Sequence, residues 1–241
     1  MSSSFAEAIR NARTHGCLPV IADIKPVSPR DGSLLRGRAP ADLARTLESA
    51  GACALSVVTA QEHFGGNLAV LREVADAVDL PILRKDFFSH PDQVNESVSA
   101  GARAVLLTLC TLSPDLTTKL YERVCALGID AVVEIHTQEE LKRALALKPA
   151  IVGINNRDLL QLETDDGDVA VTEGLAPLVP PGILTISESS LLAPADVARA
   201  LGAGADAVLV GTALLQAPDP SARIRELVGA TGQPHPGETS S

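Results

Sequence analysis

The sequence predicts a single (β/α)8 barrel with parallel strands, and three observations carry that reading. Eight short apolar runs each end in a polar or charged residue. Helical patterns alternate with these runs from one end of the chain to the other. A Gly-small-x-Ala signature also recurs immediately ahead of several runs. Continuous Ile/Val/Leu runs suit parallel strands buried on both faces. Polar groups gathered at the C-terminal ends of eight such strands mark the face on which barrel active sites are built.

The chain has 241 residues and is 46% hydrophobic, enough for the core of one barrel of the usual length, about 250 residues. With one Tyr, four Phe and no Trp, that core must be aliphatic. A net charge of −10 argues against a general nucleic-acid binder, whose footprint would be basic. No secretory leader opens the sequence and no apolar stretch reaches 18 residues, so a soluble cytoplasmic protein without a membrane partner is expected. The expected assembly is a monomer or weak homo-oligomer.

Ser4–His15 reads as one short helix ahead of the barrel. The first strand, Pro19–Ile24, ends at Lys25, and the Pro- and Gly-rich stretch after it is either an ordinary solvent loop or a mobile one over the barrel mouth. A helix over Ala41–Ala50 leads to the second strand, Ala54–Val58, before Thr59. Leu68–Val78 is the next helix, and Pro81–Leu83 the third strand before Arg84-Lys85. Helix Pro91–Ala100 precedes strand four, Ala104–Leu107, which ends at Thr108. Helix Asp115–Leu127 precedes strand five, Ala131–Val133, which ends at Glu134.

Helix Gln138–Leu147 precedes strand six, Ile151–Ile154, which runs into Asn155-Asn156-Arg157. A short helix near Thr172–Leu178 precedes strand seven, Ile183–Ile186, before Ser187-Glu188-Ser189. Helix Pro194–Ala203 precedes strand eight, Ala207–Val210, before Gly211-Thr212, and Pro220–Val228 is the last helix. Gly51, Gly101, Gly204 and, more loosely, Gly128 each stand where a left-handed residue can cap the preceding helix. Residues 1–230 form one domain on this reading, and Thr231–Ser241, rich in Pro, Gly and Ser, is an expected disordered tail.

Lys25, Arg84, Lys85 and Arg157 stand at strand ends of an acidic protein, which suggests an anion site. Side chains two apart on a strand share a side, so Asp23 and Lys25 face the mouth together, as do Lys85 and Phe87, and Asn155 and Arg157. Asp23 with Lys25 is alternatively a surface ion pair. Lys85 beside Phe87 offers a proton and a ring platform for a planar substrate, or is a lysine snorkelling to solvent. Glu134 is a candidate general base, and an ion pair with Lys85 or Lys25 is compatible with that role. His136 points away from Glu134's side and reads as structural. Asn155 and Arg157 suit a hydroxyl and an anion.

Small residues at Ser187-Glu188-Ser189-Ser190 and Gly211-Thr212 let backbone N–H groups approach a phosphate, the usual place for one in such a barrel. The remaining histidines (15, 63, 90 and 235) are scattered without ligand spacing, so no metal is expected. Cys17, Cys53, Cys110 and Cys125 form no CxxC pair, and Cys53 and Cys110 read as buried, reduced thiols.

Taken together, these residues resemble the indole-3-glycerol-phosphate synthase family. The resemblance rests on Val20-Ile21-Ala22-Asp23-Ile24-Lys25 with Ser28-Pro29, Leu55–Thr59, Phe64-Gly65-Gly66, Leu83-Arg84-Lys85-Asp86-Phe87 and Val133-Glu134-Ile135-His136. It continues through Gly153–Asp158, Ser187-Glu188-Ser189 and Val210-Gly211-Thr212, in order over residues 18 to 228. It implies a cofactor-free ring closure of 1-(2-carboxyphenylamino)-1-deoxyribulose 5-phosphate, a phosphorylated arylamino-sugar, with loss of CO2 and water. Lys85 would be the general acid and Glu134 the assisting base. Lys25 would hold an anionic group and Asn155 would orient polar groups, while Asp23 joins the catalytic set through its place beside Lys25.

The same correspondence makes Phe87 a ring platform and Arg157, Ser189, Gly211 and Thr212 phosphate ligands, and adds Ser28, Phe64, Glu188 and Ser190 to the substrate-binding set. The chain departs from the family in having Asp23 for glutamate, Ser190 for glycine, and only about 17 residues before the first strand. Those departures keep two alternatives open: a paralogue closing a ring on a related arylamino-sugar phosphate in secondary metabolism, or a phosphate-binding barrel of low activity.

Overall fold

The computed structural model describes residues 4–159 and 167–229, so the expected tail Thr231–Ser241 lies outside the described residues. Eight parallel strands close into a barrel: β1 (Val20–Ile24), β2 (Ala54–Val58), β3 (Ile82–Lys85), β4 (Ala104–Thr108), β5 (Asp130–Ile135), β6 (Ile151–Asn155), β7 (Leu184–Glu188) and β8 (Ala207–Val210). Each strand pairs with its neighbours in sequence, and β8 closes the ring on β1. The strands extend one or two residues past several apolar runs. Arg84, Lys85, Glu134, Asn155 and Glu188 lie within strands rather than after them. Hydrophobicity stops where the interior becomes a binding cleft, whereas the backbone ladder continues.

Helices follow the strands: α1 (Phe5–Thr14), α2 (Pro40–Ser49), α3 (Leu68–Ala75), α4 (Asp92–Ser99), α5 (Pro114–Leu127), α6 (Gln138–Ala146), α7 (Ala170–Leu175), α8 (Pro194–Gly202), α9 (Thr212–Leu215) and α10 (Pro220–Gly229). Ser113 and Thr137 cap α5 and α6 by accepting from Leu116 N and Glu140 N, which satisfies helix-end donors. Gly128 ends α5 at φ 65, and Gly51, Gly101 and Gly204 hold φ between 96 and 109, so the repeated glycines occupy left-handed positions as expected. Leu43 and Leu47 of α2 and Leu71 and Val74 of α3 pack on the outer faces of β1 and β2. On the other flank, Leu120, Val124, Leu141 and Ala144 cover Val105, Val133 and Val152. Each fully buried aliphatic of this kind contributes about 1.5–3 kcal/mol.

The interior is stacked in layers. Ile21, Leu83, Val132 and Ile186 belong to one apolar cluster inside the barrel, each from an odd-numbered strand. Two residues further along the same strands come Asp23, Lys85, Glu134 and Glu188, which the two-residue period aims inward as the next odd-strand layer. The barrel thus replaces an aliphatic layer with a charged one as it opens. Helix α1 closes the opposite end, where Phe5, Ala6 and Ile9 join the apolar cluster and Ala6 N donates to Asp130 Oδ2 at 3.0 Å. The short N-terminal segment therefore plugs the floor of the barrel, away from its mouth.

Candidate active site

A cleft with about 780 Å³ of empty space, part of it open to solvent, lies at the C-terminal end of the strands. Asp23, Lys25, Phe64, Lys85, Phe87, Glu134, Arg157, Ser189, Ser190, Gly211 and Thr212 all line it. Most of the residues expected from sequence therefore converge on one cavity.

Lys85, at the end of β3, reaches across to β7, where its Nζ lies 3.1 Å from Glu188 Oε2. Glu188 is fully buried. Burial raises its pKa to about 7, the charges of Glu134 and Asp23 add to the rise, and Lys85 opposes it. Room for this carboxylate depends on Gly153, where a Cβ would stand 2.3 Å from Glu188 Oε1. Glu134 is 1% exposed, and its Oε1 lies 3.8 Å from His136 Nε2. His136, expected to point away from Glu134, thus lies beside it.

Asp23 and Lys25 are both buried rather than at the surface. Asp23 Oδ1 has no hydrogen-bond partner among the described residues, and a Cβ on Gly211 would stand 2.9 Å from Oδ2. Lys25 Nζ lies 5.9 Å from the Phe64 ring centroid, a cation–π contact. Phe64 and Phe87 approach at 6.2 Å between centroids and a 46° tilt, forming an aromatic corner.

Small and cationic residues also line the cleft. Asn155 is buried, with Oδ1 accepting from Arg157 N at 3.0 Å and Nδ2 unpartnered among the described residues. Arg157 is 5% exposed and lines the cavity. Ser189 and Ser190 hold φ of 64 and 56, the left-handed region that side chains disfavour. Ser190 Oγ is buried without a partner among the described residues. Thr212 opens α9 directly after Gly211.

Four expected contributors are not among the residues that line the cleft: Asn155 and Glu188 are buried, and Ser28 and Arg84 are held elsewhere. Ser28 does not line the cleft: it sits in a two-stranded antiparallel hairpin, Val27–Ser28 with Gly32–Ser33, and its Oγ donates to Asp31 Oδ2 at 3.1 Å. The stretch read as a solvent or mobile loop is therefore a hairpin, docked by Val27 N donating to Phe64 O. Arg84, counted among the strand-end cations, turns away and is 3% exposed. It pairs with Asp86 at 2.7 Å and donates to Thr59, Gln93 and Ser97.

Sequence reasoning missed Asn156. Its amide donates to Ser187 Oγ and to Glu188 and Ser189 carbonyls, while its Oδ1 accepts from Thr172, tying β6 to β7. It also missed the apolar lining from Val58, Leu106, Leu159, Leu191, Leu192 and Leu209. Cys53 and Cys110, expected as buried thiols, are part-exposed and free. Burial nonetheless pushes both up to about 12, with Glu134 and Glu140 adding to the rise at Cys110.

Comparison with known proteins gives a family match. The model of the indole-3-glycerol phosphate synthase family matches residues 1–227. Indole-3-glycerol phosphate synthase of Thermococcus kodakarensis is 41% identical over 228 residues, covering 95% of this chain and 98% of that protein. The Kineococcus radiotolerans enzyme of the same name is 44% identical over 225 residues, covering 93% and 81%. Among solved structures, the tryptophan synthase alpha chain of Legionella pneumophila superposes with a TM-score of 0.68 at 13% identity, over 93% of this chain and 95% of that one, a likeness of fold alone.

Proposed function

The chain belongs to the indole-3-glycerol phosphate synthase family, a group of carboxy-lyases of tryptophan biosynthesis, and we propose the following division of labour among its residues. The reaction joins the carboxyl-bearing ring carbon of 1-(2-carboxyphenylamino)-1-deoxyribulose 5-phosphate to its ribulose carbonyl carbon, then expels CO2 and water. Lys85 protonates the carbonyl oxygen as the ring carbon attacks. Loss of CO2 returns the bonding electrons to the ring. The former carbonyl oxygen, now a hydroxyl, takes a second proton from Lys85, recharged by solvent, and leaves as water, while Glu134 takes the proton released from carbon in forming the indole.

Glu188 positions Lys85 through their ion pair, and Asp23 and Lys25 hold the anionic or hydroxyl groups nearest the aryl end. Phe64 and Phe87 pack on the aryl ring. Asn155 orients polar groups through its spare amide donor. Arg157, Ser189, Ser190, Gly211 and Thr212 bind the phosphate. Ser28 supports the hairpin over the mouth rather than touching substrate.

One observation carries this reading. A single cleft is lined by an aromatic corner with an ammonium beside it, by acid and base groups, and by a guanidinium with small residues. A substrate with an aryl carboxylate, a carbonyl and a phosphate matches that set of groups. Incubating the protein with this compound and following indole fluorescence and CO2 tests it. Stoichiometric release of both products supports the reading, and an intact substrate at enzyme concentrations that turn over the Thermococcus relative defeats it.

A further inference from the structure

Cys110, His136 and Glu140 form a cluster behind the catalytic layer. Cys110 follows β4, His136 follows β5 and Glu140 lies in the first turn of α6, so three neighbouring elements bring a thiol, an imidazole and a carboxylate together. Their candidate ligand atoms all lie within 4.8 Å of one another, and His136 Nδ1 is 3.4 Å from Glu140 Oε2. Both ring nitrogens of His136 are buried, and neither has a hydrogen-bond partner among the described residues. A histidine kept for structure ordinarily bonds through at least one of them. Glu140 is fixed in place, since its Oε2 also accepts from His136 N at 2.6 Å. All three residues are part-exposed, so a small ion can reach them.

We propose that this trio is a site for a borderline-soft divalent cation of the Zn2+ class. The ligands are Cys110 Sγ, His136 Nδ1 and Glu140 Oε2, with a fourth position left for water. A mixed sulfur, nitrogen and oxygen donor set selects such an ion over Mg2+ or Ca2+. Tetrahedral bonds of about 2.0–2.1 Å put nitrogen and oxygen ligands roughly 3.3 Å apart, close to the spacing already present between His136 and Glu140.

The test titrates metal-free wild type, Cys110→Ser and Glu140→Gln with Zn2+ against a chromophoric chelator. Co2+ serves as a probe through its thiolate charge-transfer band. Wild type should bind one equivalent, and either variant should bind about 10-fold or more weakly, as expected for loss of one ligand. The Co2+ band should vanish in Cys110→Ser. Binding that is absent, or indifferent to Cys110, overturns the site.

Discussion

Lys85 and Glu188 stand on opposite walls of the barrel, four strands apart either way round, yet their Nζ and Oε2 atoms meet at 3.1 Å across the interior. A buried ion pair of this kind is weak evidence of stability, because desolvation offsets much of its attraction. Its value lies in position: it holds the ammonium at the centre of the cleft, where a carbonyl oxygen would need a proton.

Replacing Glu188 by Gln should therefore lower kcat about 10-fold with a smaller change in KM, and should shift the limb of the pH profile near 7. The carboxyl's folded pKa, about 7, lies above its ordinary 4.5, so folding favours the protonated form. That contribution is complete below about pH 4.5 and is lost as pH rises through about 7. Wild type should thus lose more thermal stability between pH 4.5 and 8 than Glu188→Gln. Parallel pH dependences of unfolding in the two proteins would contradict this.

Arg157 is buried in the lining of the cleft and is assigned to the phosphate, which is gripped alike before and during reaction. Arg157→Ala should raise KM by about 10-fold or more while kcat changes little. A kcat loss with unchanged KM would move Arg157 into the chemical step.

Much of this arrangement was legible in the sequence, because in a parallel barrel the end of each apolar run fixes where a polar side chain can emerge. Asp23, Lys85, Glu134 and Arg157 were found that way. The layering was not, since which strand ends share a level depends on the barrel's shear, which no local pattern encodes. Arg84 and Lys85 are adjacent and both cationic, and only the pleat, read against the helix layer, sends one outward to Asp86 and the other inward to Glu188. Asn156 and Ser28 carry polar groups that sequence could not apportion between substrate and scaffold.

Ser190 holds φ 56 with its hydroxyl buried and unpartnered among the described residues. Ser190→Gly should raise stability by about 1 kcal/mol, the usual cost of a side chain in this region. If the hydroxyl donates to the phosphate, KM should rise severalfold at the same time. Melting temperature and KM measured on one preparation check both effects.

Asp23 packs against the Gly211 backbone, leaving no room for a Cβ there. Asp23→Glu pushes the carboxylate about 1.5 Å further into the cleft, roughly one carbon–carbon bond. Displacements near 1 Å can cost on the order of 100-fold in rate. The variant should lose kcat/KM on the carboxyphenylamino substrate, and a large gain would show that aspartate is a compromise rather than a fit.

The central claim is that Lys85 supplies the proton for ring closure, and steady-state kinetics of Lys85→Ala test it most directly. Loss of a positioned acid should lower kcat by about 100-fold or more, while KM stays within a few-fold because the phosphate and aryl ends still bind. Near-normal kcat in Lys85→Ala would contradict the account and transfer the proton to another group, with Lys25 the first to examine.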